Sequence, residues 1–222
     1  MNYDSAPTHH LIRLREPIQL TADGPAPAWV ELVLRRAPWV VVRRGHVRGG
    51  MMPVGVRGTV RSQRFAAFVA VTEIVGQHSP EDLTVSGHVI EQRRQDTIPA
   101  LAAFDRVAPL LIHRGYQWGP GGSVGFEIAT GIVTATASSD LDLILRQECR
   151  LEKNKAIDLL MALAETAAPA RIDVMLETPT GGVSLADVAA MPAELLVRTP
   201  CGARLSVDPW MAGATAFLEA AS

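Results

Sequence analysis

Apolar and polar positions along this chain alternate between two periods. Residues 39–43, Trp-Val-Val-Val-Arg, form a continuous β-branched run that suits a buried strand. Residues 52–57 predict a second strand, with Gly58 opening a turn. Residues 64–69, Arg-Phe-Ala-Ala-Phe-Val, fit a strand or a helix equally well. Prolines at 25 and 27 precede a short helix within 25–38, where Trp29, Leu32, Val33 and Arg36 recur at helical spacing. Ser79 and Pro80 have the chemistry of a helix N-cap and a first helical position.

The second half is patterned more clearly. Ile98, Leu101, Phe104, Val107, Ala108, Leu111 and Ile112 form the apolar stripe of an amphipathic helix, which Gly115 closes. A glycine-rich turn at 119–123, Gly-Pro-Gly-Gly-Ser, leads into a short helix that Gly131 ends. Residues 139–145, Ser-Asp-Leu-Asp-Leu-Ile-Leu, predict a strand, and 147–167 a long helix. Residues 171–177 predict another strand, with Ile172, Val174 and Leu176 on one face. Residues 195–199 and 203–207 flank Pro-Cys-Gly and predict a hairpin. The polar stretch 87–97 is read as the domain linker, with a solvated helical segment as the competing reading. The fold class expected is α/β (α+β) in two domains. Residues 1–90 are expected to form a smaller N-terminal α/β domain that helps bind the reactants. Residues 91–222 form a catalytic domain with a short mixed sheet backed by helices, and the site lies in the cleft between the two.

Composition narrows the function classes. A chain of 222 residues that is 48% hydrophobic can bury a core. Its formal net charge of -2 gives no global attraction for nucleic acid. No apolar run approaches membrane-spanning length, and the first residues lack the basic and apolar parts of a signal peptide. The expectation is a cytoplasmic protein with neither nucleic-acid nor membrane partners. Cys149 and Cys201 make neither a disulfide framework nor a metal knuckle. Lys153 and Lys155 are the lysines and every other fixed cation is arginine, which suits phosphate recognition as well as a genomic bias.

The candidate chemistry sits on the two aspartate strands. A strand repeats every two residues, so Asp140 and Asp142 share a face. Asp173 interrupts its own apolar strand in the same way, and all three carboxylates converge if the strands are neighbours. Clustered carboxylates raise one another's pKa unless a cation lies between them. Mg2+ accepts such oxygen ligands, and a metal pair can hold an attacking oxygen and a leaving pyrophosphate in line. Gly121 and Gly122 let the backbone approach a phosphate, Ser123 adds a hydroxyl, and the helix that starts there offers free N–H groups. Arg57, Arg61 and Arg64 surround a turn, where they grip phosphates or pair with Glu31 or Glu73. Arg146 either neutralises transition-state charge or caps a helix. Rival motifs fail: there is no Gly-x4-Gly-Lys-Ser/Thr, Val124 replaces the third glycine of a dinucleotide fingerprint, and no Gly-x-Ser-x-Gly elbow occurs.

The order Gly-Gly-Ser, helix, Asp-x-Asp strand, helix, Asp strand resembles the nucleotidyltransferase superfamily typified by DNA polymerase β. Within it, Gly-Ser-Val-Gly-Phe-Glu-Ile-Ala-Thr-Gly at 122–131 and Ser-Asp-Leu-Asp-Leu at 139–143 are similar to the phosphoribosyl-dephospho-CoA transferases. These are the holo-acyl-carrier-protein synthases of malonate decarboxylase. Ala-Pro-Trp-Val-Val-Val-Arg-Arg at 37–44, Pro-Val-Gly-Val-Arg-Gly at 53–58 and Arg-Ser-Gln-Arg-Phe-Ala at 61–66 extend the resemblance through the N-terminal half. One departure is His9-His10, where that family tends to have His-Asp. The resemblance implies 2'-(5''-triphosphoribosyl)-3'-dephospho-CoA as donor and a serine of the malonate decarboxylase acyl-carrier subunit as acceptor, with release of pyrophosphate. It implies Asp140 and Asp142 as Mg2+ ligands, Asp173 as ligand or general base, and Gly122 and Ser123 as the phosphate cradle. Two alternatives stand beside it: an ATP-using nucleotidyltransferase acting on a small molecule or protein, and a non-catalytic dephospho-CoA-type binding module.

Overall fold

A computed structural model describes residues 6–211 apart from 17, 61 and 89. The expectation for Arg61 therefore lies outside the described residues. The first sheet grows from the β-branched run. β2 (Trp39–Val42) pairs antiparallel with β1 (Leu11–Leu14) and with β3 (Met51–Arg57). β4 (Arg64–Ala70) folds back on β3, and β5 (Ile74–His78) flanks β1, giving the order β4-β3-β2-β1-β5. The ambiguous 64–69 segment is thus a strand. β3 offers it a partner along its whole length, from Met51↔Ala70 to Arg57↔Arg64, and Ala67 and Val69 alternate inward. α1 (Ala28–Arg36) packs Val30 and Leu34 onto this sheet, against Val40, Val54 and Val56. Burial of each contributes on the order of 1.5–3 kcal/mol. Leu32, placed in the stripe by the sequence reading, faces solvent instead. The inward pair is Val30 and Leu34, one helical turn apart.

The second sheet has the order β11-β10-β9-β8-β7-β6. Its members are β6 (Gln117–Pro120), β7 (Leu141–Arg146), β8 (Ile172–Thr178), β9 (Gly181–Ser184), β10 (Leu195–Thr199) and β11 (Gly202–Ser206). β7 and β8 run parallel and the other pairs antiparallel, so the expected mixed sheet and α+β class hold. Leu141, Leu143 and Leu145 of β7, with Val174 and Leu176 of β8, enter one core with α4 (Pro99–His113) and α6 (Lys153–Ala167). Strand periodicity then turns the alternate residues of β7 and β8 to the other face. Trp39 and Val41 of the first sheet pack against the second core, so the two halves are in contact.

Three local expectations shift. Ser79 and Asp82 exchange side-chain-to-backbone bonds of 2.8 and 3.1 Å, and α2 (Leu83–Ser86) begins after them rather than at Pro80. The polar stretch contains α3 (Gln92–Thr97), the solvated helical alternative. The helix predicted from residue 147 begins only at Lys153. Gln147 donates from its backbone to Glu177 O and accepts from Trp210 Nε1 (2.8 Å), and Arg150 pairs with Asp208 at 3.0 Å, which keeps this segment out of helical geometry. Among the described residues, no helix is long and apolar enough to cross a membrane.

Candidate active site

The parallel register of β7 and β8 sets Asp142 beside Asp173, as Cα partners on neighbouring strands. Such strands lie about 4.8 Å apart, and paired residues point to the same face. Asp142 is half-buried and Asp173 exposed. The Asp142 carboxyl is pushed above the usual carboxylate range, first by burial and then by Asp173 and Asp140; Arg57 and Arg64 pull it the other way. Asp140 precedes β7, and its Oδ1 accepts from Arg171 Nε at 2.8 Å. The three carboxylates are therefore not fully gathered. Among the described residues, no group of three or more Asp, Glu, His or Cys side chains is close enough as it stands to hold a metal ion. Asp142 and Asp173 nonetheless form a pair of hard oxygen donors whose mutual repulsion a divalent cation would relieve, so the residues present fit Mg2+.

The glycine turn lies against Asp142; Asp173 does not line the cavity they share. Gly121 N–H donates to Asp142 O at 2.8 Å, tying the turn to the aspartate strand. α5 (Gly122–Thr130) starts at Gly122, whose φ is 55°. A Cβ there would fall on the Asp142 carboxylate, so conformation and space both require glycine. Ser123 is buried in the first turn. It lines a cavity of about 330 Å³ with Asp140, Asp142, Arg57, Arg64 and Thr136. Arg57 and Arg64 reach this cavity from the first sheet, where they are direct cross-strand partners. Like charges directly opposite are unfavourable, so this pair is suited to an anion between or above them. Two sheets therefore meet at one site, with carboxylates and helix start from one and guanidinium groups from the other.

Arg146 does not join them. It sits at the far end of β7, where its Nε donates to Glu81 at 2.7 Å. Burial alone would raise the Glu81 carboxyl, but Arg146 reverses this and holds it below the usual range. Next to this pair His10 is buried, and burial first, then Arg146, lower its pKa from 6.5 to about 4.

Several site residues escaped the sequence reading. Glu177 of β8 accepts from both Arg44 Nη1 (2.9 Å) and Arg44 Nη2, and His9 Nε2 lies 2.8 Å from its Oε1. Burial works against the charge, yet these bonds hold the Glu177 carboxyl down at about 2. This cluster clamps the first sheet to the second and gives His9 a place. Glu127 of α5 is buried and takes a forked bond from Arg94, with Thr134 N (2.9 Å) and Ala135 N (2.8 Å) completing its shell. It anchors α5 and the loop that supplies Thr134 and Thr136 to the cavity. The signal available in advance was a glutamate in the middle of an otherwise apolar short helix.

Comparison with known proteins places this geometry. The family described as phosphoribosyl-dephospho-CoA transferase MdcG C-terminal domain matches residues 87–209, and the corresponding N-terminal domain matches residues 7–80. The chain belongs to the phosphoribosyl-dephospho-CoA transferase family. A Pseudomonas putida protein of that name is 42% identical over 207 residues, covering 93% of this chain and 96% of the relative. One from Azotobacter vinelandii is 40% identical over 192 residues, 85% and 87% of the two chains. One from Pseudomonas aeruginosa is 34% identical over 202 residues, 91% and 92%. No solved structure matches. The family is one of transferases, so the chain is an enzyme. Its two family domains coincide with the two sheets whose side chains meet at the cavity.

Proposed function

We propose that this enzyme transfers the 2'-(5''-phosphoribosyl)-3'-dephospho-CoA group from its triphosphate precursor to a serine hydroxyl of the acyl-carrier subunit of malonate decarboxylase, in the cytoplasm. The serine oxygen bonds to the phosphorus nearest the ribose, the bond from that phosphorus to pyrophosphate breaks, and the serine proton is lost. The observation that carries this reading is Asp142, in register with Asp173 and lying against the Gly122–Ser123 helix start, in a chain of the transferase family.

Arg57 and Arg64 draw the triphosphate into the cavity and offset its charge. The free N–H groups at the start of α5, with Ser123, hold the departing phosphates in place. Asp142 and Asp173, with Asp140 alongside, would hold magnesium. Bound there, the ion supplies positive charge that stabilises the developing charge on the phosphoryl and pyrophosphate oxygens. Asp173, the exposed member, would take the serine proton if it is not engaged as a ligand. The raised Asp142 pKa supports a site that works with a cation, since ionised Asp142 is otherwise unfavourable.

The test is mass spectrometry of the apo carrier protein after incubation with the enzyme, the triphosphoribosyl donor and magnesium. The expected result is a mass gain equal to the phosphoribosyl-dephospho-CoA group, with stoichiometric pyrophosphate release. A gain of a nucleotide when ATP replaces the donor, with none from the donor itself, overturns the assignment.

A further inference from the structure

A second cavity, of about 380 Å³, adjoins the carboxylate cavity and shares Arg57 and Arg64 with it. It opens between the two sheets, and arginine dominates its polar lining: Arg43, Arg44 and Arg198 add to the shared pair. Among the described residues, no aspartate or glutamate lines it. Arg44 is neutralised by Glu177. Arg43, Arg64 and Arg198 pair with no carboxylate among the described residues. Thr8 and His9 also line it, and Leu11, Val41, Phe126 and Met175 supply apolar wall. Arginines without counter-charges around one pocket favour an anion with several oxygens. The Phe126 ring and the Met175 thioether, whose sulfur lies 3.8 Å from Arg198 Nη1, favour a flat, polarisable group.

We propose that this inter-sheet cavity is a subsite for a nucleoside 5'-diphosphate, with Arg43 and Arg198 on the diphosphate and Phe126 and Met175 against the base. The inference rests on the proposed function, in which the donor carries an adenosine diphosphate moiety beside its reacting triphosphate. Arg57 and Arg64 stand where the two cavities join, so one donor molecule spans both. The reacting phosphorus lies over Asp142 and the non-reacting body lies between the sheets. Binding energy from that body then positions the reacting end.

The subsite is tested without catalysis by calorimetric titration of ADP into the wild-type protein and into Arg43→Ala, Arg198→Ala and Arg35→Ala. Arg43 and Arg198 are exposed, and the control Arg35 lies on the outer surface of α1, so all three variants should fold, which a thermal melt checks. ADP should bind the wild type and the control alike, and each of the two cavity variants should weaken it about tenfold or more. In the transfer assay the same two variants should raise KM for the donor far more than they lower kcat. Failure of millimolar ADP to bind, or equal affinity in all four proteins, overturns the subsite. So does inorganic pyrophosphate binding as tightly as ADP with the same arginine dependence. If the wild type transfers nothing to the carrier yet binds ADP through Arg43 and Arg198, the proposed function fails and the subsite stands.

Discussion

The face that β7 and β8 turn towards the first sheet carries acidic groups at both ends, and the two ends are built on opposite principles. At one end Glu177 is enclosed by Arg44 and His9, while Arg146, its neighbour in register, is met by Glu81. Both acids are held below the usual range. Four residues back along β8, a distance of about 13 Å, Asp173 stands beside Asp142, and burial and mutual repulsion push Asp142 upward. One end spends its charge on joining two sheets. At the other, Asp142 stays above the usual range although Arg57 and Arg64 draw it down, and a bound cation would relieve the repulsion. On the proposed function, the difference separates the structural acids from the catalytic ones more sharply than burial does, since neither Glu177 nor Asp142 is exposed.

The largest expected effect comes from breaking the reactive end. Asp142→Asn should reduce transfer to the carrier by about a thousandfold. It should also leave the melting temperature unchanged or raise it. A carboxyl whose folded pKa lies above its unfolded value destabilises the fold when ionised, so removing the charge at neutral pH relieves strain. A tenfold loss or less, or a clear drop in stability, would place Asp142 with the structural acids. Glu177→Ala is the mirror experiment. It leaves the poorly exposed Arg44 guanidinium without its partner, and unfolding by urea should show a loss on the order of 3–5 kcal/mol. A loss below about 1 kcal/mol would mean that the clamp is no stronger than an exposed pair.

The two ends also differed in how far the sequence disclosed them. Asp142 and Asp173 were legible because each interrupts an apolar strand, Asp140 because it falls two residues before Asp142, and Gly122-Ser123 because glycine and serine punctuate the chain. The clamp was not. Glu177 meets Arg44 and His9 across 133 and 168 residues, and each looks like an ordinary surface charge in its own segment. Arg57 and Arg64 were visible as a cluster of cations, but not as facing partners, because the 64–69 pattern fits helix or strand until β3 is there to pair with it. β9, with the sequence Gly-Gly-Val-Ser, and β6, Gln-Trp-Gly-Pro, carry no alternation and become strands only through their neighbours. Arg146, read as a transition-state cation or a helix cap, instead pairs with Glu81 at the far end of β7.

Acid titration sharpens the contrast from the structural side. His10 has a pKa depressed from 6.5 to about 4, chiefly by burial, so the folded state resists a proton that the unfolded chain accepts. Stability is therefore full above pH 6.5 and falls as the pH drops towards 4, by at most about 3 kcal/mol. Glu177, depressed from 4.5 to about 2, has the same sign in a lower window: its contribution is present above pH 4.5 and is lost as the pH falls through 2. Urea midpoints should then decline in two stages. His10→Leu should flatten the upper stage and leave the lower one; its Nδ1 has no hydrogen-bond partner to lose. An upper stage that persists in His10→Leu assigns that slope to another group.

The smallest effect decides where Asp140 belongs. It lies next to the reactive pair and adds to the upward push on Asp142, yet it is bonded to Arg171 as a structural acid would be. Arg171 is 77% exposed, so the pair contributes little to stability, well under about 1 kcal/mol after solvent screening. If Arg171 only parks the carboxylate until a cation arrives, Arg171→Ala should change the transfer rate by no more than a few-fold and lower the magnesium concentration needed for half-maximal activity. Asp140→Asn should then cost nearly as much activity as Asp142→Asn. If Asp140 is an anchor for the strand end, the two variants should instead behave alike, each slightly less stable and each nearly fully active. The magnesium titration separates the cases, because only a carboxylate competing between a guanidinium and a cation makes the metal requirement depend on Arg171.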